Sequence, residues 1–125
     1  MNALRHIHSA MAPGGLVLDM QPVRARPPVE AAGRRLGSLD MREWRQTIEP
    51  ITSLVDETIA AGLFREERRR RYEVLETFDN GRELIETVGD WDGTKISRTL
   101  AARIERAAPP FVIREGILLR VLRVL

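Results

Sequence analysis

Cysteine is absent from this sequence of 125 residues. The absence excludes disulfides, thiol catalysis and thiolate metal sites, and it is compatible with a reducing compartment. Lysine occurs once, at Lys95, so arginine supplies nearly all of the positive charge. Because the net charge is only +2, the chain has little overall field, and we expect no nucleic-acid partner.

Long hydrophobic runs are also absent. The apolar C-terminal segment GILLRVLRVL, residues 116–125, is too short to span a bilayer and is interrupted by Arg120 and Arg123. The first eight residues include an arginine and two histidines, which is not the pattern of a signal peptide. We therefore expect a cytoplasmic protein that does not interact with membranes, folded as one domain over residues 1–125.

Residues that commonly carry catalysis are scarce. The two histidines, His6 and His8, are two positions apart on a predicted helix and point to different sides, so they cannot chelate one metal ion. No Ser-His-Asp set, phosphate loop or paired-carboxylate spacing stands out. The sequence therefore predicts no metal site and identifies no catalytic residue.

The apolar pattern predicts the order helix, strand, hairpin, helix, strand, helix, helix, strand. Pro50 must kink or divide the second helix, and Gly116 indicates a bend or bulge in the last strand. The first strand lacks alternation and should be covered on both faces. The predicted ranges are 2–11, 16–20, a hairpin turning near Gly33 within 28–37, then 44–61, 70–78, 81–91, 97–107 and 111–124.

Four consecutive arginines lie in REERRRRYE, residues 65–73. They are able to contact phosphate or an acidic partner. On a strand, however, neighbouring arginines project to opposite faces, and Glu66, Glu67 and Glu73 neutralise them. We interpret the run as a solvated part of a strand. Trp44 and Trp91 lie on apolar helix stripes, where we predict core packing.

The N-terminal stretch ALRHIHSAMAPGGLVLDMQPV resembles the fourth-helix and fifth-strand unit of class I S-adenosylmethionine-dependent methyltransferases, of the type 11 kind. In that family the pattern is roughly L-x-x-[IV]-x-x-x-[LM]-x-P-G-G-x-[LV]-[LV]-[LV]. The residues that match it are Leu4, Ile7, Met11, Pro13, Gly14 and Gly15.

The resemblance implies an α/β fold: part of a Rossmann-like methyltransferase sheet with flanking helices and a small hairpin. Residues 16–20, 70–78 and 111–124 would be equivalent to the fifth, sixth and seventh strands, the last of them antiparallel. The resemblance covers only the C-terminal half of the family's fold. No glycine-rich turn follows a strand, so we expect no cofactor to be bound by this chain, although S-adenosylmethionine serves the family.

The chain would then be a truncated product, a protein whose true start lies before Met1, or one piece of a split protein, and we expect it to be inactive alone. Asp19 and Gln21 end the first strand, on the side that faces the acceptor substrate in the family. Alternatively, Asp19 caps a turn or pairs with an arginine.

The edge of strand 16–20 would be exposed by such a cut. An exposed apolar edge favours pairing with another chain, so we expect a homo-oligomer or a partner chain there. Two other interpretations stay open. The chain is a non-catalytic dimerisation or binding module of α/β fold, or it is an α+β domain whose likeness to the family is coincidental.

Overall fold

A computed structural model of the chain describes residues 3–125; Met1 and Asn2, the first residue of the predicted helix, lie outside them. The fold is mixed α/β, with four helices and five strands in the described residues. The elements are α1 (Ala3–Ala10), β1 (Leu16–Pro22), β2 (Pro28–Ala31), β3 (Arg34–Ser38), α2 (Arg42–Ala60), β4 (Phe64–Phe78), α3 (Gly81–Gly89), α4 (Arg98–Arg106) and β5 (Phe111–Val124).

The five strands form one antiparallel sheet in the order β1-β5-β2-β3, with β4 also paired to β5. The last strand therefore has three neighbours. At one end of β5, Val29 of β2 lies opposite Ile113. At the other end, the amide of Gly14 donates to the carbonyl of Val124 over 2.8 Å, and the amide of Val124 donates to Gly15 over 2.9 Å.

The predicted hairpin is confirmed. β2 and β3 pair antiparallel, with Ala31 opposite Arg34. The two residues between them, Ala32 and Gly33, both have positive φ, 49° and 77°. Positive φ at both central positions is the geometry of a two-residue turn whose twist matches that of the flanking strands.

Strand β5 changes its buried face near the middle. Buried residues fall at odd positions up to Glu115, and at even positions from Gly116 onwards. Such a slip of one residue turns the following side chains to the opposite face of the strand. It lies at the position where the sequence predicts a bend or bulge, and it makes both Glu115 and Arg120 buried.

Two helices begin with a side-chain cap. The Asn80 side chain accepts from the amide of Glu83 over 2.8 Å, and Ser97 Oγ accepts from the amide of Leu100 over 3.0 Å, as N-caps do.

Pro50 lies inside α2, and the helix continues through it without a break. The alternative of two separate helices is therefore wrong.

The contacts within the chain cluster into two compact units. The first comprises the described residues of Met1–Gln21, together with Thr47–Tyr72 and Leu118–Leu125. Its core contains Val55, Phe64, Leu122 and Val124. The Arg120 side chain is 2% exposed there, and it donates to Asp56 over 2.8 Å and to Glu66 over 3.0 Å. A buried guanidinium requires such partners because an unpaired charge would be strongly destabilising.

The second unit comprises Pro22–Gln46 and Glu73–Ile117. Its core is larger and gathers the hairpin, the two short helices and the start of β5. The buried apolar residues are Val29, Ala31, Leu39, Met41, Phe78, Leu84, Val88, Leu100, Ile104, Phe111 and Ile113.

One expectation about burial is wrong. The first strand is not covered on both faces, because Leu16, Leu18 and Met20 are 48%, 64% and 60% exposed. Along β4, Tyr72 and Val74 are exposed as well. The sequence pattern predicts that a strand forms, whereas the exposure of its side chains depends on which other elements pack against it.

We predict that Gly93→Ala will lower the free energy of unfolding by about 1–3 kcal/mol. Gly93 has φ +63°, and an added Cβ would lie 2.6 Å from the backbone nitrogen of Trp44. The matched control is Gly89→Ala at the end of α3, where an added Cβ would meet nothing within 4 Å. Alanine there should be neutral or stabilising by up to about 1 kcal/mol. Urea unfolding measures both, and equal stabilities of the two variants would contradict the prediction.

Candidate functional site

Asp19 and Gln21, the two residues expected on the substrate side, do come together. The amide of Gln21 donates to both carboxylate oxygens of Asp19, over 3.2 and 3.3 Å. The hydroxyl of Thr52 on α2 donates to Gln21 Oε1 over 2.7 Å. Gln21 is buried, so this set holds the end of β1 against α2. Sequence reasoning missed Thr52, which belongs to no recognisable motif.

His8 serves packing and a hydrogen bond to the last residue of the chain. His8 Nε2 lies 3.1 Å from the carbonyl oxygen of Leu125, and its ring meets Phe64 edge-on with the ring centres 5.5 Å apart. His6 is exposed. No three His, Cys, Asp or Glu side chains within residues 3–125 are grouped so that they hold a metal ion.

The arginine run of β4 is exposed along its length. Arg69 donates to Glu66 over 2.7 Å, and Arg65 donates to Glu67 over 3.0 Å. Glu67 also accepts from Arg123 over 2.8 Å, and this guanidinium, followed by that of Arg65, lowers the pKa of Glu67 to about 2. Of the three acids expected to neutralise the four consecutive arginines, Glu66 pairs with one of them, Arg69. The other two, Glu67 and Glu73, pair with arginines outside the run.

A cavity of 370 Å³ lies within the second unit. Its walls come from α2, β4, β5 and the loop that follows α3. The lining includes both tryptophans of the chain and three acidic residues. The residues that line it are Pro22, Met41, Trp44, Glu76, Trp91, Asp92, Thr94 and Glu115. We call it the tryptophan–carboxyl cavity.

Glu76 and Glu115 form a hydrogen-bonded carboxyl pair in this cavity. Glu115 is 9% exposed. Its burial, and secondly its hydrogen bond to Glu76, raise the pKa of Glu115 to about 7. Because its raised pKa lies near neutral pH, Glu115 is partly protonated there.

The loop that carries Asp92 and Thr94 is fixed to the start of α2. The amide of Trp44 donates to the carbonyl of Gly93 over 3.3 Å. Asp40 and Lys95 exchange backbone hydrogen bonds of 2.9 and 2.8 Å. Because these bonds hold both ends of the loop, its two side chains have a defined place at the cavity wall.

Two arginines lie close to the carboxyl pair but have other partners. Arg24 donates to Glu73 over 2.9 Å and to the carbonyl of Arg114 over 3.1 Å. Arg114 donates to Glu30 and, over 2.7 Å, to Glu73. These guanidinium groups, that of Arg24 first, lower the pKa of Glu73. In the described part of the chain, no ion pair includes Glu76, Asp92 or Glu115.

Sequence reasoning missed the carboxyl pair and assigned the tryptophans to the core. Trp44 and Trp91 do pack against the apolar cluster, but each is only partly buried and borders the cavity. One signal was available: Glu115 follows Phe111 and Ile113 at every second residue, the inward-facing spacing of a strand. The partner Glu76 carries no comparable signal, because β4 is mostly exposed.

Comparisons with protein-family models, with curated proteins and with solved structures gave no match for this chain. None of the helices within residues 3–125 is long and apolar enough to cross a membrane.

We predict that Glu115→Gln will make stability less dependent on pH. A carboxyl whose pKa is raised on folding binds more protons in the folded state, so its contribution to stability is present below pH 4.5 and is lost as the pH rises to about 7. Glutamine keeps a donor toward Glu76 at every pH. Urea unfolding should therefore show that the free energy of unfolding falls less between pH 5 and pH 8 for the variant than for the wild type.

The control for this experiment is Glu86→Gln, which removes an exposed carboxylate on α3 that pairs with Arg82. It should leave the pH dependence of the wild type nearly unchanged. If Glu115→Gln and Glu86→Gln lose the same stability between the two pH values, the carboxyl pair does not hold a proton as described.

Proposed function

We propose that this chain is a methyltransferase-like protein equivalent to the C-terminal half of a class I S-adenosylmethionine-dependent methyltransferase, and that it is inactive by itself. The observation that carries the proposal is the position of β5, which pairs with both β1 and β4. In the family that the sequence resembles, the seventh strand lies antiparallel between the fifth and the sixth. Strands β1, β4 and β5 suit the fifth, sixth and seventh places of that partial Rossmann-like sheet.

The proposed role of this half is on the acceptor side of the reaction. A complete enzyme of the family would transfer a methyl group by in-line attack, in which positioning supplies most of the catalysis. Asp19, Gln21 and Thr52 lie at the carboxyl end of β1, the end at which α/β sheets bind ligands. The glycine turn that would hold the cofactor is not in the sequence, so we propose that the chain binds no cofactor by itself. On composition alone we place the protein in the cytoplasm, without a nucleic-acid partner.

A chimera tests this proposal. The cofactor-binding half of a well-behaved class I methyltransferase is joined in front of residues 3–125, and binding of S-adenosylhomocysteine is measured by calorimetry. We expect stoichiometric binding by the chimera and none by the present chain, because only the chimera combines the glycine turn with a sheet that supports it.

Two controls accompany the chimera: the cofactor-binding half alone, and the same half with its own C-terminal half. Stoichiometric binding by the present chain alone would overturn the claim that it lacks a cofactor site. A folded chimera that fails to bind, beside a parent enzyme that binds, would contradict the methyltransferase-like assignment.

A second candidate function is a non-catalytic dimerisation or binding module. It is favoured by the row of exposed apolar side chains on β1, formed by Leu16, Leu18 and Met20. Within residues 3–125, β1 pairs with no strand except β5. An apolar strand with one free edge is a template for pairing with another chain, and two copies paired through the same edge would be related by a two-fold axis.

We predict that the chain is a dimer at micromolar concentration, with twice the chain mass of 14.2 kDa. Leu18→Lys should produce a monomer, because it places a charge in the apolar row of the pairing strand. Leu75→Lys is the matched control, since Leu75 is an exposed leucine of β4, and it should leave the dimer intact. Size-exclusion chromatography with light scattering measures all three masses. A stable wild-type monomer at 100 µM would contradict the prediction.

A further inference from the structure

The tryptophan–carboxyl cavity has an unusual balance of charge. Glu76, Asp92 and Glu115 line it, whereas no lysine or arginine does. Arg24, which packs against Gly116, and Arg114 are hydrogen-bonded to Glu73. Among the described residues, no ion pair includes Glu76, Asp92 or Glu115, so a cation in the cavity would meet carboxyl groups without an ion-pair partner.

The aromatic side chains add a second and independent feature. Trp44 and Trp91 both border the cavity, and tryptophan is the aromatic residue whose ring face attracts a cation most strongly. A cation in the cavity would therefore lie beside both indole groups.

The size of the cavity limits the ligand. A volume of 370 Å³ is at the low end of small-molecule sites, which span about 300–1,000 Å³. This volume suits a compact ligand of fewer than about ten non-hydrogen atoms and is too small for a nucleotide or a peptide. The preferred molecule is small and carries one positive charge.

We propose that the tryptophan–carboxyl cavity binds a small organic cation of the alkylammonium class. The ammonium group would lie against the tryptophan rings, with the carboxyl groups as counter-charges. The site lies within the second unit, and the proposal does not depend on the methyltransferase-like assignment.

The experiment uses choline as the probe, because it is a compact quaternary ammonium that keeps its positive charge at every pH. Trp44 and Trp91 are the only tryptophans of the chain, so intrinsic tryptophan fluorescence reports on this cavity alone. We expect a saturable fluorescence change with a Kd on the order of 1–10 mM. Sodium chloride at matched ionic strength corrects for screening.

The neutral comparison is 3,3-dimethylbutan-1-ol, which has the shape of choline and no charge. It should bind at least about tenfold more weakly, because a neutral molecule has no charge for the carboxyl groups to attract. Equal curves for choline and the alcohol would overturn the proposal, as would the absence of saturation with choline up to 100 mM.

Three variants locate the site. At about pH 8.5, above the raised pKa of Glu115, Glu115→Gln and Asp92→Asn each remove one negative charge from the cavity and should raise the Kd for choline by about tenfold. Asp92 is in an exposed loop, so that variant should fold even if Glu115→Gln does not. Glu86→Gln removes an acid outside the cavity and should leave the Kd unchanged. Folded cavity variants that keep the wild-type Kd would refute the site.

Discussion

Pairing along β5 is the constraint on which the rest of the sheet depends. This strand provides hydrogen-bonding partners for β1, β2 and β4, and β3 joins the sheet only through β2. A strand with neighbours along both edges needs residues that suit a largely buried position. Most of FVIREGILLRVLRV meets that requirement, and its buried residues alternate with partly buried ones. Without β5, β1 and β4 would have no partner among the described strands.

The slip at Glu115 and Gly116 explains why this apolar strand buries two charged side chains. Before the slip, the alternation turns Glu115 inward; after it, the alternation turns Arg120 inward. The two groups are accommodated differently. Arg120 donates to the carboxylates of Asp56 and Glu66. For Glu115, burial and secondly the hydrogen bond to Glu76 raise the pKa to about 7. Burial without a partner would be destabilising for either side chain.

Two features of the structure are left without a counterpart in the described residues. One is the apolar row of β1, formed by Leu16, Leu18 and Met20. The other is the negative charge of the tryptophan–carboxyl cavity, which holds Glu76, Asp92 and Glu115. We proposed another strand edge with apolar side chains for the first and a small organic cation for the second. The two proposals are independent, because one rests on apolar surface and the other on negative charge.

Local structure was predictable from the sequence because its determinants are local. The turn at Ala32-Gly33, the caps Asn80 and Ser97, and the range 111–124 of the last strand all follow from a few adjacent residues. Asp19 and Gln21 were found together because they share one strand. Glu76, Trp44 and Glu115 could not be grouped in advance, since they are far apart in the chain and only the packing of α2, β4 and β5 brings them to one cavity. The pKa of Glu115 and the exposure of Leu18 were likewise decided by the tertiary structure, because desolvation depends on neighbours that no local pattern specifies.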